Sequence, residues 1–503
     1  MISSEPNLPN KHFLYKFLNP ASICVFGANN EFLSTMGAMQ LRNVIFGGFP
    51  REKIYPIHPK LHEIQGIPAY KNVRDIPEVP DLAFIILPPH IVPRVMEECG
   101  EKGIKRLIIT SGGFKETGEN GLSLSNLIDT IAAKYDMRFI GPNCLGVYNA
   151  WFEGAVPDSK FNTMWIYETP ERGNISIIAQ SGTIASHLFW YCNKIGVKVS
   201  KSFSIGNENN IDTVDCLKFL ENDPETNVIG IYVEEVKRGQ KFINLVKSIS
   251  KKKPIVAIYA GGSQAAFRSI KGHTGAIAGM DKIFKTVFQE AGITSTSSVK
   301  EFLYYLRAFS YGVIPKGKRL AIVTDSGGCG AMMAKVAEQL NLEVPEFSKE
   351  LKNRLKPYLP SVANIDNPLD LTFQFNQYNL YIKIPKILIN SGEIDGIIIY
   401  AVFGFEEILE IVKKSGGKSY EEFDISNEVM KNLYLKPIQK LVQKKLIPVF
   451  YIGPHGYDNP WIKEFIRSNI PIFDLWDFPI KCFSVLTMYR TYLKKTNIDS
   501  VEK

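Results

Sequence analysis

Several features that mark well-known protein classes are missing from this sequence of 503 residues. The seven cysteines are odd in number and scattered, and no CxxC pair occurs, so the sequence predicts neither a disulfide framework nor a zinc site. No apolar run approaches the roughly 20 residues of a membrane span. The first residues, MISSEPNLPNKHFLYKFLNP, lack the apolar core of a signal peptide. We therefore expect a cytoplasmic protein with no membrane passage.

A strong excess of charge of one sign is also absent. The formal net charge of +8 is mild for a chain of this length. Clusters of lysine such as KSISKKKP stand at a predicted helix end before a strand, which is typical of a solvated face. We therefore expect no nucleic-acid partner, whereas an anionic small ligand remains compatible with the charge.

The dinucleotide-binding fingerprint GxGxxG is a third absence. After the first predicted strand the sequence reads GANNEFLSTMGAMQL, in which Gly27 and Gly37 bracket a loop that leads into a helix. The acidic residue that would hold a ribose after the second strand is replaced by HPK, which contains Lys60. This pattern argues against NAD and for a ligand whose phosphates a lysine can bind. The alternative is that Gly27 only forms a tight turn and Lys60 is only a surface cation.

Short apolar strands that alternate with helices are what the sequence does contain. Runs such as SICVFG, LAFIILPP and RLIITSGG are apolar throughout, which predicts parallel sheets covered on both faces. The chain is too long for one core, and the alternation restarts twice. The predicted fold class is α/β with three open parallel-sheet units: a Rossmann-type domain over residues 1–150, a flavodoxin-like domain over 151–312 and a second flavodoxin-like domain over 313–503.

Two strand-to-helix corners are candidates for anion binding, because the free amides of a helix N-terminus attract anions. They are found in AQSGTIASHL and TDSGGCGAMMAKV, and both place a serine and glycines where a strand gives way to a helix. Each corner could instead be only a close contact between helix and sheet. The candidate phosphate-binding residues are Ser181, Gly182, Thr183, Gly327, Gly328 and Gly330.

A histidine in a bare segment is the chemical candidate. Residues 271–279 read KGHTGAIAG, and the small neighbours of His273 leave its imidazole room to change partners. A lone histidine is usually structural, but histidine also serves as a nucleophile that carries a phosphoryl group between two sites. A carboxylate would have to orient its other ring nitrogen, and IYVEEVKRG offers Glu234 and Glu235 at a strand end.

From residue 15 to about 495 the chain resembles the nucleoside-diphosphate-forming acyl-CoA synthetases, relatives of succinyl-CoA synthetase, and in particular the α subunit of ADP-forming acetyl-CoA synthetase. The motifs are specific together and weak singly. They are GAN…MG, YPIHPK, ECGEKGIKRLIITSGGFKETGENG, GPNCLGVYN, QSGTIA, SIGNENNIDTVDCLKFLENDPETNVIGIYVEEVKRG, GHTGAIAG, TDSGGCG and NPLDLT.

The resemblance implies a ligase reaction that runs from acyl-CoA and phosphate to an acyl phosphate, then to a phosphohistidine, and then to ATP from ADP. It implies that His273 is phosphorylated, that Glu234 is the catalytic carboxylate, and that the two corners hold the phosphohistidine at alternate positions. It assigns CoA contacts to the first domain: Gly27, Ala28, Lys60, Pro88, Ser111 and Asn143. The three α/β units consume the chain, so a separate ATP-grasp β subunit, which would hold Mg²⁺ and ADP or ATP, is implied, most simply as α2β2.

Departures from the family pattern keep alternatives open. The third-domain corner reads DSGGCG where relatives commonly have NAGGPG, and Glu235 stands where relatives usually have glycine. A non-catalytic CoA-binding protein of the same architecture is therefore one alternative. A dinucleotide-binding regulator is another, although the ribose acid is missing. A serine hydrolase is disfavoured because QSGTIA lacks the glycine two places before the serine.

Overall fold

The computed structural model describes residues 9–32, 35–261, 265, 281–372, 376, 378–400, 414, 431–444, 446–453, 457 and 459–496. By its internal contacts the chain divides into two compact units. The first comprises Met1–Asn193 with Val197–Leu306, and the second comprises Lys194–Gly196 with Arg307–Lys503. The predicted boundaries at residues 150 and 312 stay predictions.

The first sheet of the first unit has five parallel strands in the order β2-β1-β5-β6-β7. Four of the five have apolar residues buried along their length, as the continuous apolar runs predict. A short antiparallel pair, β3 and β4, lies outside this sheet. The bounds are β1 Ile23–Phe26, β2 Ile54–Ile57, β3 Glu63–Ile64, β4 Ile67–Pro68, β5 Leu82–Ile85, β6 Arg106–Ile109 and β7 Arg138–Ile140.

The second sheet of the first unit has seven strands in the order β14-β13-β12-β10-β11-β8-β9. Five are parallel, but β8 and β9 add to the edge in the antiparallel sense. The alternation of strands and helices did not predict this edge, because β8 follows β7 without a helix but pairs with β11 of the other sheet, and β9 then pairs with β8. The bounds are β8 Gly146–Asn149, β9 Phe161–Asn162, β10 Arg172–Ala179, β11 Val199–Ser204, β12 Val228–Val233, β13 Ile255–Tyr259 and β14 Thr294–Thr296.

The sheet of the second unit has five parallel strands in the order β16-β15-β17-β18-β19. The α/β fold class with open, mostly parallel sheets is thus confirmed. The bounds are β15 Leu320–Thr324, β16 Leu369–Asp370, β17 Gly396–Tyr400, β18 Val449–Ile452 and β19 Ile472–Phe473.

Helices connect these strands and cover the sheets. One apolar cluster combines the first sheet with the second, and another covers the opposite face of the first sheet. The described helices are α1 Tyr15–Leu18, α2 Met36–Phe46, α3 Val92–Lys102, α4 Glu119–Lys134, α5 Gly182–Ser186, α6 Leu188–Ile195, α7 Thr213–Glu221, α8 Gly239–Ile249, α9 Asp281–Glu290, α10 Val299–Ser310, α11 Gly327–Gln339, α12 Lys349–Leu355, α13 Ile384–Ile389, α14 Lys436–Gln443, α15 Pro460–Arg467 and α16 Asp477–Lys495.

Two sequence expectations can be compared with this arrangement. All seven cysteines are free thiols, as their scattered spacing predicts. Within the described ranges, no helix is both long enough and apolar enough to cross a membrane.

Candidate functional site

The loop after β1 brings backbone segments unusually close together. Gly27 has φ +87°, and a Cβ added there would lie 2.0 Å from the carbonyl oxygen of Ile86. A Cβ on Gly37, at the start of α2, would lie 2.2 Å from the carbonyl oxygen of Gly27. Ala28 between them is fully buried. Only glycine fits these two positions, so the loop presents bare backbone after the first strand.

The loops after β5, β6 and β7 are joined by hydrogen bonds. The Ser111 hydroxyl donates to the carbonyl of Leu87, next to the exposed Pro88, and the Ser111 carbonyl accepts from the Asn143 amide at 2.9 Å. Asn143 itself has φ +58°. The neighbouring Cys144 is buried, which raises the pKa of its thiol to about 12 and makes it a poor nucleophile.

Lys60 follows β2 and is exposed. The His58 ring nitrogen Nδ1 accepts hydrogen bonds from the amides of Lys60, at 3.1 Å, and Leu61, at 2.9 Å, and so fixes the turn that carries the lysine. All six candidate CoA contacts therefore lie in loops after the carboxyl ends of parallel strands, at one edge of the first sheet. Ligands of open α/β sheets bind at this edge.

The first predicted corner lies at the carboxyl end of β10. Ser181 is the N-cap of α5, and its hydroxyl makes no capping hydrogen bond. Gly182 packs closely, since an added Cβ would lie 2.8 Å from Leu145 Cγ, and Thr183 is exposed. The first amides of α5 have no acceptor within the helix, which is the geometry expected of an anion-binding corner.

Gln180, the residue before this corner, ties it to the loop that carries Glu234. Its side-chain oxygen accepts from the amides of Glu234 and Glu235, the latter at 3.1 Å. Its Nε2 donates to the Glu235 carbonyl at 2.7 Å and to Glu208 Oε2 at 2.8 Å. Because Gln180 is buried, these four bonds hold the corner and the glutamate loop in fixed register.

Glu208 is not among the site residues predicted from the sequence. It is buried, has φ +53°, and its other carboxylate oxygen accepts from the Thr213 amide at 2.8 Å and the Thr213 hydroxyl at 2.6 Å. Burial raises the pKa of the Glu208 carboxyl. The sequence feature that could have identified Glu208 is the polar run GNENN, which follows a predicted strand. An acid that becomes buried at such a position needs hydrogen-bond partners.

Glu234, the predicted catalytic carboxylate, is half-buried at the carboxyl end of β12. Burial raises the pKa of the neighbouring Tyr232 hydroxyl, and the charge and hydrogen bond of Glu234 raise it further. His273, the predicted phosphorylated residue, lies outside the described residues, as do residues 271–279 as a whole.

The second predicted corner lies in the second unit, at the carboxyl end of β15. Ser326 is the N-cap of α11, and the Thr324 hydroxyl accepts from the Ser326 amide at 2.9 Å. Gly327 and Gly328 are exposed, whereas Gly330 is buried. A Cβ added to Gly327 would lie 2.8 Å from an Asp370 carboxylate oxygen. This corner thus has the predicted strand-to-helix form, with an acid beside it.

Metal-binding clusters were searched in the same part of the chain. No group of three or more histidine, cysteine, aspartate or glutamate side chains that could hold a metal ion occurs among the described residues. No metal ligands were predicted for this chain.

Comparison with known domain families gives two matches. A family described as CoA binding domain matches residues 21–150. A family described as succinyl-CoA ligase-like flavodoxin domain matches residues 172–309. The first match contains all six candidate CoA contacts, and the second contains Ser181, Glu234 and His273.

Relatives and a solved structure extend the similarity. The chain is 34% identical over 386 residues to the ADP-forming acetate–CoA ligase II subunit alpha of Pyrococcus furiosus, covering 77% of this chain and 82% of that one. It is 36% identical over 353 residues to the ADP-forming acetate–CoA ligase of Methanocaldococcus jannaschii, covering 70% of this chain but only 48% of that protein, about half its length. A Candidatus Korarchaeum cryptofilum dinucleotide-forming acetyl-coenzyme A synthetase 1, solved with phosphate and ADP, superposes with TM-score 0.80 at 27% identity and covers 96% of this chain and 98% of that one.

Proposed function

Because this chain belongs to the family of ADP-forming acetate–CoA ligase α subunits, we propose that it is the α subunit of an ADP-forming acyl-CoA synthetase. The reaction interconverts acyl-CoA, phosphate and ADP with a carboxylic acid, CoA and ATP. The observation that supports the proposal is the set of Gln180 hydrogen bonds, called here the Gln180 clamp, which holds the Ser181 corner and the Glu234 loop together at the carboxyl edge of one sheet.

The proposed chemistry divides into three transfers. A phosphate oxygen attacks the acyl-CoA carbonyl, and CoA leaves as the thiolate, which gives the acyl phosphate. A ring nitrogen of His273 then attacks phosphorus, and the carboxylate leaves. Finally, a terminal oxygen of ADP attacks the phosphohistidine, and the neutral imidazole is regenerated. No oxidant or reductant is needed, and the protein has only to position the groups and stabilise charge.

Each residue group has a role in this scheme. The proposed CoA contacts Gly27, Ala28, Lys60, Pro88, Ser111 and Asn143 share the edge of the first sheet. Glu234 orients His273. The amides at Ser181–Thr183 and at Gly327–Gly330 hold the phosphoryl group on the histidine at its two positions, since helix N-termini stabilise anions.

The proposal also includes a partner subunit and a cellular compartment. An ATP-grasp β subunit supplies the Mg²⁺ and adenine-nucleotide site, and two αβ pairs form α2β2. The name subunit alpha of the Pyrococcus relative supports a partner subunit. Seven free thiols support a reducing compartment, the cytoplasm. Residues 1–150, 151–312 and 313–503 are the proposed domains, and both family matches fall within the first two.

The test is intact-protein mass spectrometry at alkaline pH after incubation with ATP, Mg²⁺ and an ATP-grasp subunit. The wild type should gain the mass of one phosphoryl group, labile to acid and discharged by ADP, whereas His273→Asn should gain none. CoA affinity of His273→Asn should stay within about threefold of the wild type, because the CoA loops belong to the other sheet.

Two results would contradict the proposal. Phosphorylation or turnover of His273→Asn at the wild-type level would remove the histidine from the reaction. No phosphorylation of the wild type with a partner that phosphorylates a known α subunit, together with intact CoA binding, would favour the non-catalytic CoA-binding protein. Micromolar NADH binding without CoA binding would favour the dinucleotide-binding regulator.

A further inference from the structure

Two lysines of the first unit are brought together where the loop after β6 is joined to the loop after β12 through Asn207, whose side chain donates to Glu116 and whose carbonyl accepts from Lys237. Lys115 lies in the loop after β6, four residues beyond Ser111. Lys237 lies in the loop after β12, three residues beyond Glu234. Neither lysine has a role in the resemblance or in the scheme above.

Lys237 is fixed by backbone oxygens. Its ammonium donates to the carbonyls of Asn207, at 3.0 Å, and Glu208. The neighbouring Arg238 is bound by Asp212, the N-cap of α7, so the loop is held on both sides of Lys237. An ammonium has three N–H donors, and two carbonyls use two of them. Because Lys237 is exposed, its third donor is available to a ligand.

Lys115 is half-buried and has no carboxylate within salt-bridge distance in the part of the chain that the structure describes. Burial lowers the pKa of its ammonium to about 8, and the like charge of Lys237 adds to this effect, whereas Glu235 and Glu208 oppose it. Two adjacent positive charges are unfavourable unless an anion joins them. Perturbed lysines of this kind concentrate at functional sites.

The backbone around the pair is held rigidly. Glu116, next to Lys115, accepts from the Gly113 amide at 2.6 Å and from the Asn207 side chain at 2.5 Å. Asn207 also accepts from Asn143 at 3.4 Å. The loops after β6, β7, β11 and β12 are thereby joined in one hydrogen-bonded network. Fixed charges of this kind stabilise an anion without reorganisation when it arrives.

We infer that Lys115 and Lys237 form an oxyanion-binding site for the reacting group, between the loop after β6 and the Glu234 loop. This inference rests on the proposed function. Its ligand is either the phosphate that attacks acyl-CoA or the carboxylate of the free acid, since both present oxygens with negative charge. The two ammonium groups bind the oxyanion and position it, while Glu234 and His273 keep the roles given above.

The test measures binding to the full chain by equilibrium dialysis with labelled inorganic phosphate and labelled acetate at pH 7, with CoA binding in parallel. Lys115→Gln and Lys237→Gln should each weaken binding of one oxyanion at least about tenfold, which is the size of one charge-assisted contact. CoA affinity should stay within about threefold. Lys115→Arg keeps the charge and should lose less than Lys115→Gln.

A matched control is Lys253→Gln. Lys253 is also a half-buried lysine whose pKa burial lowers to about 8, and it donates to the carbonyls of Leu220 and Asp223, both at 2.7 Å. It lies just before β13, at the amino end of that strand. This variant should leave phosphate, acetate and CoA binding unchanged, which separates the site from a general effect of removing a buried charge.

The outcomes are distinct. Loss confined to phosphate identifies the phosphate of the first transfer as the ligand, and loss confined to acetate identifies the acid. Normal CoA binding with unchanged phosphate and acetate affinity in both glutamine variants would overturn the inference and leave the proposed function standing. Failure of the wild type to bind CoA would instead contradict the proposed function. Absence of phosphate and acetate binding by a wild type that binds CoA would also overturn the inference.

Discussion

The two edges of the second sheet carry polar networks of opposite character. At the amino edge, Lys201 lies 2.8 Å from Asp223 and 3.3 Å from Glu225, and Asp223 also accepts from Thr226. At the carboxyl edge, Gln180 and Glu208 lie near Lys115 and Lys237. The first network closes on itself with opposite charges, whereas the second leaves two like charges side by side.

The amino-edge network has the properties of a structural element. Lys201 and Asp223 are only 3% and 2% exposed, so no ligand can reach them. Burial alone would raise the pKa of Asp223, but its contacts with Glu225 and Lys201 outweigh burial and lower it. Removing one partner of the closed pair would leave a buried charge uncompensated, whereas the open pair lies at the edge where α/β proteins bind ligands. Three predictions test this contrast.

Lys201→Met should have the largest effect on stability. Removing one partner of a buried ion pair leaves the other charge uncompensated, which typically costs about 3–5 kcal/mol. The free energy of unfolding should fall by that amount in urea denaturation, while CoA and oxyanion affinities of the remaining folded protein stay unchanged. The matched control is Lys198→Met, because the Lys198–Glu171 pair is at the surface and should contribute less than about 1 kcal/mol. Equal losses in the two variants would contradict a structural role for the buried pair.

Gln180→Leu should have an intermediate effect on stability and a large one on chemistry. The substitution keeps the approximate volume but removes the partners of two amides, the Glu235 carbonyl and one Glu208 oxygen, which should cost about 2–3 kcal/mol. Displacement of the Glu234 loop should slow phosphorylation about 100-fold in the mass-spectrometric assay. Thr324→Val, which removes the hydroxyl at the other corner, should cost only about 1 kcal/mol. A normal phosphorylation rate for Gln180→Leu would show that the clamp does not position the glutamate.

The smallest expected effect on stability belongs to Lys115, whose removal should change the free energy of unfolding by less than about 1 kcal/mol, as usual for residues that are not fully buried. The effect of Lys115 is expected instead in the pH dependence of oxyanion binding. The ammonium binds an anion only when protonated, so oxyanion affinity should be constant below the pKa of about 8 and fall as pH rises through it.

The measurement that checks this prediction is the affinity for sulfate and for acetate as a function of pH, since the charges of these two anions do not change near pH 8. Affinity should fall about tenfold per pH unit above that pKa, as expected for one linked proton. Lys115→Arg should abolish the fall, because arginine stays charged. The groups that face Lys115 are Lys237, Glu235 and Glu208, with Asp129 nearby. A fall that persists in Lys115→Arg would assign the titration to one of these groups.

Much of the fold and part of the candidate site follow from local sequence. Continuous apolar runs are sufficient to predict parallel strands, and Ser-Gly pairs after a strand predict the corners at Ser181 and Ser326. The antiparallel edge formed by β8 and β9 was not predicted. Its position depends on the pairing of β8 with β11, a strand about 50 residues further along the chain, and local sequence does not specify that pairing.

The sequence by itself determined the α/β class, the family and the residue types at the strand ends, because these depend on local periodicity and on motifs read along the chain. Only the tertiary structure decided that Gln180 clamps the Glu234 loop, that Glu208 is buried, and that Lys115 lies beside Lys237. Those residues are far apart in sequence, and their energies depend on which loops the parallel order of strands brings to one edge. Burial and neighbouring charge then set their chemistry, and neither quantity is local.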